Sequence, residues 1–197
     1  MIKNILDDKI VVYKNITENP MSVIEEANLI SERFEGLGFK PATINNHEYN
    51  TDLRSCTVFS LHTSNADDKA FGQGAQQAKK ALNAKINRSV FPAVLDYVKE
   101  YDFKIQNREA WELLSYEETQ KLTWHADHGA VHPCQISFVY YLNDDYEGGE
   151  IEFQDYIGKP YKPEAGDLVI FPSAPTYLHR VLPITSGTKY ACISFAN

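Results

Sequence analysis

The sequence contains few cysteines, no long apolar run and no excess of positive charge. Its three cysteines, Cys56, Cys134 and Cys192, lie far apart, which argues against a disulfide framework and against a thiolate zinc site. No apolar run approaches the length of a membrane-spanning helix, and the N-terminal residues lack the apolar core of a signal peptide. The formal net charge of −8 disfavours a nucleic-acid partner, although a local basic groove is compatible with an acidic total. We therefore expect a cytoplasmic protein that has neither a membrane nor a nucleic acid as its partner.

The chain is long enough, at 197 residues, to bury one full hydrophobic core, and no linker or low-complexity segment divides it. We therefore expect one domain over residues 1–197, with helical support mainly in 15–105. A first helix is predicted after Asn19, which can cap it. Helical patterns return from about 67 to 101, and we expect two helices that break near Ser89.

The second half of the chain is predicted to be a series of short strands. Its β-rich runs are separated by turn signals that contain Gly, Pro and Asp. The predicted strands are 110–115, 135–142, 150–153, 167–171 and 190–195, preceded in the first half by Lys9–Asn15 and 54–61. The simplest architecture is an α+β fold that is mainly β: a double-stranded β-helix of the jelly-roll, cupin-like type over 108–197, packed against the N-terminal helices. A generic α+β domain with the same strands in another order is the alternative.

A histidine-rich segment, TWHADHGAVHP, lies between the first two of these C-terminal strands. On a strand, His125 and Asp127 would project from the same face because they are two residues apart. An imidazole and a carboxylate at adjacent positions suit a divalent metal, although His-x-Asp also occurs by chance at structural or surface positions. His128 and His132 have no such partner, and we interpret them as loop residues or as neighbours of the ligands.

A third candidate ligand, His179, follows the predicted strand 167–171 and a proline-rich turn. It can therefore begin a strand that pairs beside the strand of His125. Two histidines and one carboxylate form the facial triad of non-haem Fe(II) oxygenases, which leaves further coordination positions open. The other histidines, His47 and His62, lie in segments without ligand-type neighbours.

Four segments around this triad occur in a specific order: H-x-D before a strand, YYLNDDYEGGEIEF, KPEAGDLVIFP and LHRVLPITSGTKY. Together they resemble the 2-oxoglutarate- and Fe(II)-dependent dioxygenases, most closely the prolyl 4-hydroxylase-like branch. The resemblance covers about Trp111–Phe195, somewhat under half of the chain. It implies that His125, Asp127 and His179 hold a catalytic Fe(II), that 2-oxoglutarate and O₂ are co-substrates, and that ascorbate can keep the iron ferrous.

Lys189 opens the predicted final strand, ten residues after His179, and shares a face with Ala191 and Ile193. Lysines are usually solvated, and that interpretation stays open. If the face looks into the barrel, however, a buried ammonium needs a buried anion. The resemblance implies that the far carboxylate of 2-oxoglutarate is this anion.

Two tyrosines are also implied by the resemblance as parts of the co-substrate pocket. Tyr141 ends the strand predicted over 135–142, and Tyr116 precedes His125 by nine residues. A tyrosine hydroxyl can donate to a carboxylate while its ring packs against apolar neighbours, but both residues could equally be core tyrosines. Leu122 departs from the family pattern, since relatives often carry a tyrosine there.

Other residues near these motifs are expected to have structural or surface roles. Asn143, Gly148 and Gly149 form a turn between two strands, which we interpret as structural. Arg180 and Trp124 each adjoin a predicted ligand and alternate away from the metal face, so that they are surface residues or line a substrate groove.

The sequence thus predicts an enzyme that hydroxylates a substrate C–H bond while it converts 2-oxoglutarate to succinate and CO₂. The resemblance to the prolyl 4-hydroxylase branch favours a peptidyl proline in a peptide or protein, and a free amino acid or small metabolite is the alternative. Segments 43–52 and 61–76 are expected to form flaps over the barrel mouth, or else to be ordinary surface loops. Two other classes stay open. They are a cupin-type metal hydrolase or isomerase, which would not need Lys189, and a non-enzymatic jelly-roll binding module.

Overall fold

The computed structural model describes residues 2–44, 48–63, 71–130, 132–155 and 160–197. The helices of these residues are α1 (Ser22–Arg33) and α2 (Gly72–Glu100). The strands are β1 (Ile2–Asp7), β2 (Ile10–Lys14), β3 (Lys40–Pro41), β4 (Thr57–Ser60), β5 (Glu112–Tyr116), β6 (Leu122–His125), β7 (Ile136–Tyr141), β8 (Glu147–Gly148), β9 (Ile151–Phe153), β10 (Leu168–Pro172), β11 (His179–Val181), β12 (Ile184–Ser186) and β13 (Lys189–Ala196).

The strands form one large antiparallel sheet and a smaller one. The large sheet has the order β1-β2-β10-β7-β13-β5-β4-β3, and the small sheet has the order β6-β11-β9. Strands β8 and β12 form a separate pair. This mainly-β arrangement with helices confirms the predicted double-stranded β-helix, and the first hundred residues add strands to both edges of its large sheet.

The large sheet buries both of its faces, as β2 shows. Val11 and Tyr13 of β2 belong to the core that the sheet forms with the two helices. Ile10 and Val12 belong instead to a second core, which lies on the opposite face. Because neighbouring residues of a strand project to opposite faces, the run IVVY supplies both cores at once. The helices therefore support the sheet from behind and leave its other face for the candidate site.

Helix α2 is continuous, so the prediction of two helices that break near Ser89 was wrong. Ser89 does not cap a new helix, because its hydroxyl donates to Lys85 O at 3.3 Å within the same helix. Pro92 lies inside α2 and removes one backbone hydrogen bond, at a typical cost of about 3 kcal/mol. A stripe of buried side chains, from Leu82 to Tyr97, runs past this proline and packs on the sheet. Burial of this stripe outweighs the local cost at Pro92.

The two predicted flaps lie partly outside the described residues. In segment 61–76, residues 64–70 are not described, and 72–76 form the first turns of α2, so that part is helix and not a flap. In segment 43–52, residues 45–47 are not described. On either side of these three residues, Ile44 N donates a hydrogen bond to Glu48 O at 2.8 Å.

All three cysteines are buried and unpaired. Of the described helices, neither has a stretch both long enough and apolar enough to cross a bilayer.

Candidate active site

Strand pairing brings the two candidate histidine ligands together. His125 ends β6, and His179 begins β11, directly opposite it in an antiparallel pair. The ring centroids of the two imidazoles are 4.1 Å apart. Asp127 follows β6 by two residues, and one side-chain atom from each of the three residues lies within 4.8 Å of the others.

The backbone orients both imidazoles. His125 Nδ1 lies 2.9 Å from Thr123 O, and His179 Nδ1 lies 3.1 Å from Tyr177 O. Because a carbonyl oxygen only accepts hydrogen bonds, each Nδ1 carries the proton and each Nε2 keeps a free lone pair. Both Nε2 atoms face Asp127, with His125 Nε2 at 3.3 Å from Oδ1 and His179 Nε2 at 3.7 Å from Oδ2.

The Asp127 carboxylate is held by hydroxyl groups as well as by the imidazoles. Ser137 Oγ donates to Asp127 Oδ2 at 2.6 Å and lies 2.7 Å from Ser173 Oγ. Burial alone would raise the pKa of the Asp127 carboxyl, but His179 and His125 outweigh it and hold this pKa well below its usual range. The hydrogen bond from Ser137 acts in the same direction. The carboxylate is therefore ionised at neutral pH.

These three side chains fit a divalent transition metal. Burial lowers the pKa of His179 to about 4, so its imidazole is neutral and able to ligate at neutral pH. Two neutral imidazoles and one carboxylate are the donor set that suits Fe(II) with open coordination positions. The donor chemistry of the described residues thus agrees with the metal that the sequence predicts.

The triad lies in a cavity of about 670 Å³ that also contains the predicted co-substrate residues. Lys189 is 1% exposed and lines this cavity, together with Tyr116 and Tyr141. Its Nζ atom donates to Gly149 O at 2.6 Å and lies 5.1 Å from the centre of the Tyr141 ring. Burial lowers the pKa of the Lys189 ammonium to about 7.

The pocket around Lys189 has hydrogen-bond donors without acceptors. The hydroxyls of Tyr116 and Tyr141 are buried and have no hydrogen-bond partner among the described residues. Buried hydroxyls are normally satisfied, so two unpaired ones whose rings lie beside a buried lysine indicate a place for an acceptor ligand. A carboxylate of 2-oxoglutarate fits this set of donors.

The turn between β8 and β9 positions Lys189, a role that sequence reasoning did not assign to it. Gly149 has φ +67°, and a Cβ atom there would come within 3.2 Å of Lys189 Cδ and 2.4 Å of Ile184 Cδ1. Asn143 holds both neighbours of the lysine, since its Nδ2 donates to Thr188 O and its Oδ1 accepts from Tyr190 N, each at 2.7 Å.

Among the cavity-lining residues that the sequence did not single out are Ser137, Arg54 and Glu109. Ser137 could have been found, because alternation along β7 places it on the same face as Tyr141. Arg54 was predicted only to begin the strand 54–61. Nothing in the local pattern around Glu109 indicated its position.

The remaining histidines of the His-rich segment lie outside the triad. His128 Nδ1 lies 2.6 Å from Cys134 O. His132 Nε2 lies 2.7 Å from the Glu109 carboxylate, at the edge of the cavity. Both are neighbours of the candidate ligands.

The residues that adjoin the ligands interact with one another. Arg180 lies over the Trp124 ring at 4.6 Å and forms an ion pair with Glu152, its partner in the β9–β11 pairing. Trp124 is 38% exposed and also borders the cavity. Leu122 lines the cavity as well.

Comparison with known proteins agrees with this geometry. Residues 111–197 match the 2OG-Fe(II) oxygenase superfamily. A PKHD-type hydroxylase from Synechococcus sp. (strain JA-2-3B'a(2-13)) is 41% identical over 63 residues, which are 30% of this chain and 27% of that protein. The chain therefore matches only about a quarter of the length of this curated relative.

Two solved structures are similar over nearly the whole chain. One is a prolyl hydroxylase from Trichoplax adhaerens in complex with a hypoxia inducible factor oxygen degradation domain peptide fragment, with a TM-score of 0.70, 15% identity, and coverage of 95% of this chain and 83% of that chain. The other is a prolyl-4-hydroxylase from Pseudomonas putida, with a TM-score of 0.63, 18% identity, and coverage of 94% and 90%. At such identities the likeness shows the fold. Residues 111–197 thus match the 2OG-Fe(II) oxygenase superfamily in sequence, and the fold of the chain resembles that of prolyl 4-hydroxylases.

Proposed function

We propose that this protein is an Fe(II)- and 2-oxoglutarate-dependent dioxygenase that hydroxylates a C–H bond of its substrate. One observation carries the proposal. A His₂-Asp triad and a buried lysine with two unpaired tyrosine hydroxyls line the same cavity. The triad suits the metal, and the lysine pocket suits the co-substrate. When bound, Fe(II), 2-oxoglutarate and O₂ supply the oxidising chemistry, in which one oxygen atom enters the substrate C–H bond and the other enters succinate as CO₂ is released.

The chain's own residues would bind and orient the metal and 2-oxoglutarate, and would shield them from water. His125, Asp127 and His179 would hold the metal, and backbone carbonyls keep both Nε2 atoms directed at it. Lys189 would pair with the far carboxylate of 2-oxoglutarate, with Tyr116 and Tyr141 as further donors. Since Lys189 and His179 are almost fully buried, the inner end of the cavity is protected from water.

As substrate we propose a peptidyl proline, hydroxylated at ring carbon four. The names of the relative and of the structural neighbours support this choice, since two are prolyl hydroxylases and one of these is bound to a peptide fragment. The cavity lining also includes Thr43 and Ile44 of segment 43–52 and Leu53, which follows that segment. A free amino acid or small metabolite is the alternative substrate.

Three further expectations belong to the same proposal. Ascorbate would serve as the reductant that keeps the iron ferrous. We propose a cytoplasmic location, which three buried free thiols would suit. The acidic net charge supports the absence of a nucleic-acid partner.

The decisive experiment measures succinate formation by the Fe(II)-loaded protein with 2-oxoglutarate and a proline-rich peptide or free proline. Mass spectrometry then identifies a product that has gained one oxygen atom. We expect peptide-dependent succinate and a hydroxylated peptide, and neither with Asp127→Ala as the control. Turnover of free proline without the peptide would end the peptidyl proposal. Metal-dependent hydrolysis or isomerisation without any need for 2-oxoglutarate would refute the dioxygenase itself.

A further inference from the structure

Arg54 carries buried charge that no described group neutralises. Its Nη1 atom donates a long hydrogen bond to Thr43 O at 3.4 Å, whereas Nε and Nη2 are buried and have no hydrogen-bond partner among the residues described. No described carboxylate lies within ion-pair distance of Arg54, and Glu112 acts on it only from farther away. The neighbouring Cys56 thiol is a weak acceptor that cannot replace a carboxylate.

The two unpaired nitrogens form one recognition edge. Nε and Nη2 lie on the same side of the planar guanidinium, and their two N–H bonds match the two oxygens of a carboxylate. A guanidinium stays charged at all relevant pH values, so burial without a partner is costly. A buried edge without a partner among the described residues indicates a ligand that supplies the anion.

The backbone of Arg54 is anchored next to the candidate metal centre. Arg54 bridges Leu122 in β6, three residues before His125. The next residue, Ser55, stabilises this pairing, because its backbone N donates to Lys121 O at 3.2 Å. Arg54 is therefore positioned by β6, the strand that contains the candidate metal ligand His125. Its side chain lines the same cavity as the triad.

Arg54 also lines a second cavity, of about 240 Å³, which neither the triad nor Lys189 borders. Thr43 and Glu112 line both cavities too, so these residues and Arg54 mark the boundary between them. Among the described residues that line the second cavity, the ionisable ones are Lys40, Arg54, Lys79 and Glu112. The side chain of Arg54 therefore lies where the two cavities meet.

We propose that Arg54 binds a carboxylate of the substrate, so that the enzyme prefers proline substrates with an acidic group near the hydroxylated residue. The proposal rests on the proposed function in that the substrate contains proline. The two carboxylates of 2-oxoglutarate already have sites, one at the metal and one at Lys189, which leaves the Arg54 edge to the substrate. The acidic group can be a glutamate or aspartate side chain or the terminal carboxylate of the peptide or free amino acid.

The test compares matched peptides that each contain one central proline. One peptide is neutral and amidated, two carry a glutamate before or after the proline, and one has a free terminal carboxylate next to the proline. Free proline is tested in parallel. Calorimetry gives binding to the wild-type protein, and hydroxylation gives kcat/KM. We expect at least one carboxylate-bearing form to exceed the neutral peptide by about 10- to 100-fold in both, which corresponds to about 1.4–2.8 kcal/mol. The form that responds identifies the source of the carboxylate.

Variants assign the preference to Arg54. In Arg54→Gln the preference should disappear while Fe(II) binding and the KM for 2-oxoglutarate are unchanged, which also shows that the variant is folded. Arg54→Lys keeps the charge and loses the two-nitrogen edge, so it should retain only part of the preference. Arg88→Gln, on the exposed face of α2, removes the same charge and should keep the full preference.

Three results would overturn the proposal: equal binding of neutral and acidic forms by the wild type, a preference that survives in Arg54→Gln, or a raised KM for 2-oxoglutarate as the sole effect of that variant. The last result would assign Arg54 to the co-substrate pocket. Preferential binding without hydroxylation of any form would refute the proposed function and leave the carboxylate site standing. Hydroxylation of all forms at equal rates would refute the carboxylate site and leave the proposed function standing.

Discussion

His179 lies directly opposite His125 in the pairing of β11 with β6, although 53 residues separate them along the chain. The register of two short strands therefore determines whether a metal site exists. A shift by one residue would turn His179 to the outer face and place Arg180 inward. On the other side of β11, His179 pairs with Phe153, the last residue of β9.

Removal of one imidazole should abolish metal-dependent activity while the fold is retained. We expect His179→Ala to bind Fe(II) poorly and to form no succinate, because two of the three ligands cannot hold the ion in an open octahedral site. Metal titration and a succinate assay measure both effects. The matched control is His62→Ala, which changes a histidine outside the cavity lining and should behave like the wild type. Full activity in His179→Ala would show that the site is misassigned.

Loss of the buried ammonium should affect co-substrate binding far more than metal binding. In Lys189→Ala, we expect the affinity for 2-oxoglutarate to fall by about 2–5 kcal/mol, since one carboxylate would be left unpaired in a buried pocket. Titration of 2-oxoglutarate at fixed Fe(II) measures this change. Lys80→Ala removes an exposed lysine of α2 and serves as the control. An unchanged affinity in Lys189→Ala would mean that the carboxylate binds elsewhere.

The same lysine should make co-substrate binding depend on pH. Burial lowers the pKa of Lys189 from 10.5 to about 7, so above pH 7 the empty pocket holds a neutral amine that must take up a proton to pair with a carboxylate. We expect the affinity for 2-oxoglutarate to fall as pH rises above 7, by at most about tenfold per pH unit. Calorimetry in buffers of different ionisation enthalpy should show the proton uptake. In Lys189→Met this dependence should vanish.

This depressed pKa also affects folding stability. Between about pH 7 and 10.5, the unfolded chain binds a proton at this lysine that the folded protein does not. Unfolding therefore requires proton uptake, and the contribution of Lys189 to the free energy of unfolding becomes more favourable as pH rises through this window. Comparison of the wild type with Lys189→Met by denaturant unfolding at several pH values isolates this contribution.

The hydrogen bond from Ser137 to Asp127 should orient the candidate carboxylate ligand. We expect Ser137→Ala to lower Fe(II) affinity or hydroxylation by about 10- to 100-fold, because groups that orient a ligand typically have effects of this size. The variant should also consume more 2-oxoglutarate per hydroxylated product, a ratio that a loss of stability alone would leave unchanged. Ser194→Ala removes another buried hydroxyl, which bonds to Glu109 O, and is the control. Normal metal affinity and coupling in Ser137→Ala would contradict this role.

A side chain at Gly149 should disturb the pocket of Lys189. Gly149→Ala would place a Cβ atom at positive φ, at a typical cost of about 1–2 kcal/mol, and against the side chains of Ile184, Tyr146 and Lys189. We expect a lower free energy of unfolding and weaker binding of 2-oxoglutarate, measured by denaturation and titration. Gly129→Ala is the control, because its added Cβ meets no atom within 4 Å. If both variants behave alike, the close packing around Gly149 has no effect on the pocket.

Local periodicity in the sequence was sufficient to predict much of the fold. Alternation over 190–195 predicted β13 and the shared face of Lys189, Ala191 and Ile193, all of which line the cavity. The spacing of His125 and Asp127, with His179 at the start of a later strand, was sufficient to name the three residues that the structure brings together. These features depend on a strand period of two, which acts within a few residues of the chain.

Other features were decided only by the tertiary structure. Packing on the large sheet keeps α2 continuous through Pro92, against the local tendency to break. The carbonyl that holds Lys189 belongs to Gly149, 40 residues away, and the unpaired edge of Arg54 exists because no described carboxylate packs against it. Contacts of this kind join segments whose separation leaves no trace in local periodicity. They form because burial of a polar group selects the partner that satisfies it, or leaves a place for a ligand that does.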